Sequence, residues 1–158
     1  MRRFGELLER LVYSPARTAK LKLLSDYFRA SPDPDRGWAL AALTDGLPLS
    51  LPIRKALDQI MAPHADPVLY RLSRDYVGDT AETVALLWPD HPGTEPPSLN
   101  EAVEAARNAS RREFPQKLAG LLDRLDAKGR FALIKLYSGA LRVGISSQML
   151  GKDPRPGS

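Results

Sequence analysis

The chain contains no cysteine. That absence removes disulfides, thiolate nucleophiles, iron–sulfur ligation and cysteine-type zinc sites in one step. Histidine is nearly missing as well. His64 and His91 are the only two, each beside a proline, which excludes a histidine-rich metal site. The longest apolar run, Trp38 to Leu43, has six residues, far short of the ~20 that span a bilayer. Residues alternating apolar and polar are few and β-branched residues sparse, so strand signals are almost absent. There is no phosphate-binding glycine loop of either common type, no serine nucleophile elbow and no HExxH pair. Arg2 and Arg3 open the chain, but Glu6, Glu9 and Arg10 interrupt any signal-peptide core. The expectation is a soluble, cytoplasmic protein with no membrane association, no metal and no cofactor of its own.

What is present suits one ordinary domain. In 158 residues, 43% are apolar and 27% charged, and a chain of this length buries roughly two thirds of its unfolded surface. The net charge of +4 is unevenly spread: residues 1–29 carry +4, residues 30–100 carry −5 and residues 101–158 carry +5. Basic ends around an acidic middle can fold into one positive face that attracts polyanions. An ordinary solvated helix surface is the competing reading.

Helical spacing is frequent. Phe4, Leu7, Leu8 and Leu11 recur at i, i+3, i+4 and i+7, as do Leu118, Leu121, Leu122 and Leu125, and Leu21, Leu24 and Phe28 follow the same pattern. The expected architecture is all-α, a single compact domain of about nine to ten short helices. They fall near 2–12, 17–30, 35–45, 52–62, 66–75, 79–88, 98–109, 113–125 and 127–138, with a last one from about 145. Asp35, Asp66, Asp79 and Ser98 are placed to cap helix starts. Ser98 with Glu101 fits the capping box and Asp79 with Glu82 resembles it. Gly46 and Gly139 stand where helices can end. Tyr27, Phe28, Trp38, Tyr70, Trp88 and Phe131 read as core. The stretch His91 to Pro97 reads as a loop within one domain, and residues 151–158, polar and rich in proline and glycine, as a linker or tail.

Acidic pairs such as Asp33 and Asp35 lie in a proline-rich turn and read as solvated. The most unusual segment is Ser138-Gly139-Ala140-Leu141-Arg142-Val143-Gly144-Ile145-Ser146. Its glycines permit positive φ and accessible N–H groups, the next helix start favours an anion, and Arg142 adds a forked cation. These features suit a nucleic-acid phosphate rather than a base edge. A tight helix–helix turn with a surface arginine fits the same residues. Arg111, Arg112 and Lys117, before and within another helix start, and Arg17 and Lys20 at a third, are further candidates for an anionic partner.

The stretch Ser138 to Gln148 resembles the segment that closes the N-terminal DNA-binding domain of bacterial ATP-dependent DNA ligases. Tyr76-Val77-Gly78-Asp79-Thr80-Ala81-Glu82-Thr83-Val84-Ala85 is similar to that domain's Gly-Asp helix start. Lys117 to Leu136 has the family order of two helices running into a Gly-Arg-Gly loop, and Phe4 to Phe28 resembles the family's opening. The resemblance covers residues 1–150. It implies an all-helical domain that grips duplex DNA, preferably nicked, through the minor groove, as a monomer joined to catalytic domains of the same ligase. It carries phosphate contacts onto Ser138, Gly139, Arg142, Gly144 and Ser146, with Lys117 at a basic helix start. Arg111 and Arg112 rest on charge and position, and Arg17 and Lys20 on charge at a helix start. Ala140 stands where some relatives carry a basic residue. These ligases use ATP and magnesium through a lysine in a Lys-x-Asp-Gly motif. Here the only Asp-Gly is Asp45-Gly46, and Leu43 stands at the lysine position. The chain alone is therefore expected not to be an enzyme, because adenylation needs an amine nucleophile. A helical protein-interaction module with only charge-driven nucleic-acid binding is the alternative.

Overall fold

Local apolar periodicity is realised as helix wherever it is strong. The computed structural model describes residues 1–14, 16–44, 51–64, 66, 68, 70 and 77–139, of 77–79 the backbone alone. Eight helices occur among these residues, and no strand. They are α1 (Arg2–Val12), α2 (Arg17–Ala30), α3 (Asp35–Leu43), α4 (Ile53–Met61), α5 (Val77–Leu87), α6 (Leu99–Asn108), α7 (Phe114–Asp123) and α8 (Ala127–Ser138). The expected count of nine to ten is thus eight among the described residues. The helix expected from about 145 lies outside them, and of the 66–75 stretch only Asp66, Val68 and Tyr70 are described. There Asp66 does accept the Val68 N–H at 2.8 Å, as a helix cap would.

α8 is the centre of the packing. It lies against α5 and α1 and touches α4; α4 also packs on α7, α2 on α1, α3 on α6 and α6 on α7. Phe4, Leu7, Leu8 and Leu11 of α1 and Leu118, Leu121, Leu122 and Leu125 of α7 and its exit are all buried. Phe28, Tyr70 and Trp88 are buried in the same core, while Tyr27, Trp38 and Phe131 are partly buried against it. The α1–α8 approach is close because residue 5 is glycine: a Cβ there would stand 2.9 Å from the Lys128 carbonyl oxygen.

Polar side chains fasten helix to helix, often not where local sequence suggests. Asp35 is inside α3 rather than its cap, and its carboxylate accepts the N–H groups of Leu99 at 3.2 Å and Asn100 at 2.8 Å. It therefore caps α6, from 64 residues away. Beside it Trp38 Nε1 donates to Asn100 Oδ1 at 2.8 Å. α5 begins at Val77, so Asp79 lies within the helix instead of capping it. Half of the expected capping box holds: Ser98 Oγ accepts the Glu101 N–H at 3.0 Å. The other half does not, because Arg124 draws the Glu101 carboxylate into a two-pronged pair. That guanidinium holds the Glu101 carboxyl below the usual carboxylate range. Arg124 Nε also donates to the Glu95 carbonyl at 2.9 Å, tying the His91–Pro97 loop to the α7–α8 turn.

Arg130, on α8, is 2% exposed. It donates to the carbonyls of Ala85 at 2.9 Å, Trp88 at 3.1 Å and Leu122 at 3.3 Å, and to the Asp90 carboxylate. One cation thus fills the carbonyl-rich ends of α5 and α7, where helix dipoles are negative.

Candidate nucleic-acid interface

Tyr137 organises the end of α8 from which the candidate loop departs. Its hydroxyl donates to the Ala102 carbonyl at 2.5 Å in the core, and burial pushes its pKa upward. Its ring meets that of Phe114 with centroids 5.7 Å apart. Its carbonyl accepts the Leu51 N–H at 3.1 Å. Phe114 is the first residue of α7 and Leu51 lies two residues before α4. One buried tyrosine therefore gathers the start of α4, the start of α7 and the end of α8.

Several of the sequence-predicted residues stand at that place. Arg111 and Arg112 are exposed in the turn before α7. Ser110 holds that turn, its Oγ accepting the Glu113 N–H at 3.2 Å. Lys117, in the first turn of α7, is exposed and pairs with Glu113 at 3.6 Å. At such exposure the pair is worth at most about 1 kcal/mol, so a phosphate could compete for the lysine. Ser138 is half-buried as the last residue of α8, and its hydroxyl donates to the Lys135 carbonyl at 2.9 Å. Gly139 ends the helix with φ 73°, a conformation in which a side chain is strained. Its N–H, expected to be accessible, is instead used toward the Leu136 carbonyl at 3.3 Å. Arg142, Gly144 and Ser146 lie outside the described residues.

Arg17 is exposed at the first residue of α2, and Lys20 is half-buried one turn on. Helix α2 packs on α1, and the Tyr137 junction does not include it. Sequence reasoning missed Arg54 and Lys55, both exposed in the first turn of α4. The signal available was a pair of adjacent cations directly after the Pro52-Ile53 helix start.

Among the described residues no group of three or more His, Asp or Glu side chains gathers to hold a metal, and no helix is long and apolar enough to cross a membrane. Leu43 is buried in the core. Compared with known proteins, the chain matches no family model and no curated protein.

Proposed function

We propose that the chain is a DNA-binding domain that grips duplex DNA, preferentially nicked, by its phosphate backbone across the minor groove. In this reading it is the N-terminal part of a bacterial ATP-dependent DNA ligase and acts in the cytoplasm. The observation that carries the proposal is the junction at Tyr137. It sets the basic start of α7 beside the end of α8, four residues before Arg142. The resemblance of Ser138–Gln148 to the ligase loop supports the same surface from sequence.

The chemistry follows from charge. Arg111, Arg112, Lys117 and Arg142 neutralise backbone phosphates, and Arg142 offers two parallel donors to one phosphate. Ser138 and Gly139 close the helix from which the loop departs, their own donors being turned to Lys135 and Leu136, and Gly144 and Ser146 are the weaker donors of this reading. Arg17 and Lys20 extend the basic surface along α2. Binding is sequence-independent, and log K falls with log salt at about −0.9 per phosphate neutralised. The chain itself performs no catalysis. ATP and magnesium belong to the catalytic domains of the parent enzyme, whose linkage to this domain raises the affinity of the whole for a nick.

A second reading, a helical protein-interaction module, draws on Leu86 and Leu87, which are 78% and 47% exposed side by side at the end of α5. Fluorescence anisotropy of a labelled nicked duplex, titrated at several salt concentrations, separates the two. Steep salt dependence, with marked weakening in a folded Arg142→Ala variant, is the expected result. Wild-type binding that stays negligible at low salt would reject the DNA-binding reading for this chain.

A further inference from the structure

The resemblance of the candidate loop does not include the start of α4. Arg54 and Lys55 are adjacent, exposed and of like charge, in a first turn with no acidic residue. Around them Ile53, Ala56 and Leu57 are buried, so packing fixes the face of α4 while the two cations stand outside it. Two contacts fix the position of this turn. The Leu51 N–H bonds to the Tyr137 carbonyl, and α4 packs directly on α7. The Phe114 ring rests on the same Tyr137. Arg54 and Lys55 therefore share one end of the domain with Arg111, Arg112 and Lys117. Among the described residues two acids belong to this end, Glu113, which holds Lys117 at 3.6 Å, and Asp58, one turn further along α4. Five cations against these two leave a surplus of three positive charges among the described residues.

We propose that Arg54 and Lys55 contact the phosphate backbone of the same duplex, so that α4 and α7 hold it together. This rests on the DNA-binding reading. Packed helices lie about 8–10 Å apart, wider than a single compact anion but within the run of phosphates along a strand. An extended polyanion is the partner that meets both helix starts at once. The helix backbone that carries the cations is already ordered, so the ordering cost of engagement is confined to their side chains. The role is positional: they set the duplex against α4 and read no base.

The test uses the full chain and a labelled nicked duplex across a salt series. The double variant Arg54→Gln/Lys55→Gln is compared with Lys22→Gln/Arg29→Gln, which removes the same charge from exposed positions on α2. Thermal melting by circular dichroism establishes that each variant is folded. The α4 variant should lower the salt slope by about 1.8 and weaken binding at 0.1 M salt by roughly 10- to 60-fold, with a smaller effect from the α2 variant. An unchanged slope in the α4 variant, beside steep wild-type binding, overturns this inference and leaves the DNA-binding reading standing. Equal losses in the two variants also overturn it, since net charge rather than position would then explain the effect. Failure of the wild type to bind at low salt removes the DNA-binding reading itself, and this inference with it.

Discussion

Replacing Arg130 with methionine tests whether one buried cation holds the ends of two helices. The guanidinium supplies donors to three carbonyls, Ala85 and Trp88 at the end of α5 and Leu122 in the last turn of α7. Methionine keeps much of the volume and removes every donor. Hydrogen bonds to a charged group contribute about 1.5–3 kcal/mol each, but the variant also escapes the cost of desolvating the guanidinium, which is several kcal/mol. The net loss should be about 3–5 kcal/mol, because three helix-end carbonyls lose their donor at about 1–3 kcal/mol each, partly offset by the escaped desolvation. That is a large share of the 5–15 kcal/mol typical of a domain. Urea unfolding followed by helical circular dichroism reads it directly. With a slope of about 2 kcal/mol per molar urea, the midpoint falls by roughly 1.5–2.5 M. The companion variant Asp90→Asn isolates the ion pair. The Asp90 side chain is 82% exposed, so its loss should cost at most about 1 kcal/mol. An Arg130→Met loss under about 1 kcal/mol, or an equal loss in both variants, would refute the claim that the helix-end carbonyls are what the cation serves.

Three further outcomes follow from the packing. Gly5→Ala should destabilise by about 1–3 kcal/mol despite alanine's better helix propensity, because the new methyl meets the α8 backbone; a midpoint shift to higher urea would contradict that close approach. Asp35→Ala should cost about 1–2 kcal/mol through the lost cap on α6, and amide exchange at Leu99 and Asn100 should quicken more than at α3, the helix that carries the mutation. Glu101→Gln should lose at most about 1 kcal/mol at neutral pH. The wild-type carboxyl is held below its unfolded value of 4.5 by Arg124, so its contribution is present above that value and lost as pH falls through the lowered folded value. The gap between wild type and variant should therefore narrow as the pH falls below 4.5 and close below the lowered folded value, and a gap that does not narrow on acidification would exclude the ion pair as its source.

Helix faces were legible because their periodicity is local. The stripes of α1 and α7 could be counted from spacing alone, and each proved buried. The serine cap at Ser98 and the glycine stop at Gly139 are local too, and both occur. Partners distant in sequence were not legible. Nothing near Asp35 says that its carboxylate turns to Leu99 and Asn100, or that Glu101 leaves its capping role for Arg124. Arg130 carries no sequence mark of burial; its setting exists only once α5 and α7 end beside α8. The candidate interface divides in the same way. Arg111, Arg112 and Lys117 could be chosen from charge at a helix start, whereas Arg54 and Lys55 gained meaning only when Leu51 met Tyr137.

The placement of charge at helix starts separates internal fastening from outward display. α3 and α6 have an acid in the first turn, the sign that stabilises a helix start. Both acids serve the fold: Asp35 caps α6 and Glu101 takes Arg124. In α1, α2, α4, α7 and α8 the first turn has no acid. There the cations Arg2 and Arg3, Arg17 and Lys20, Arg54 and Lys55, Lys117, and Lys128 and Arg130 occupy the first four positions. Arg130 is explained by the carbonyls it reaches, and Lys128 and Lys117 by Glu9 and Glu113. Against a helix dipole, each exposed cation at such a start forgoes about 0.3–1 kcal/mol that an acid there would supply. An anion docked at the start reverses the sign of that term, since it meets the dipole and the cation together. In the proposed DNA-binding reading, stability given up in isolation is recovered as affinity, and Arg54, Lys55 and Lys117 at the Tyr137 junction are where that reversal would fall.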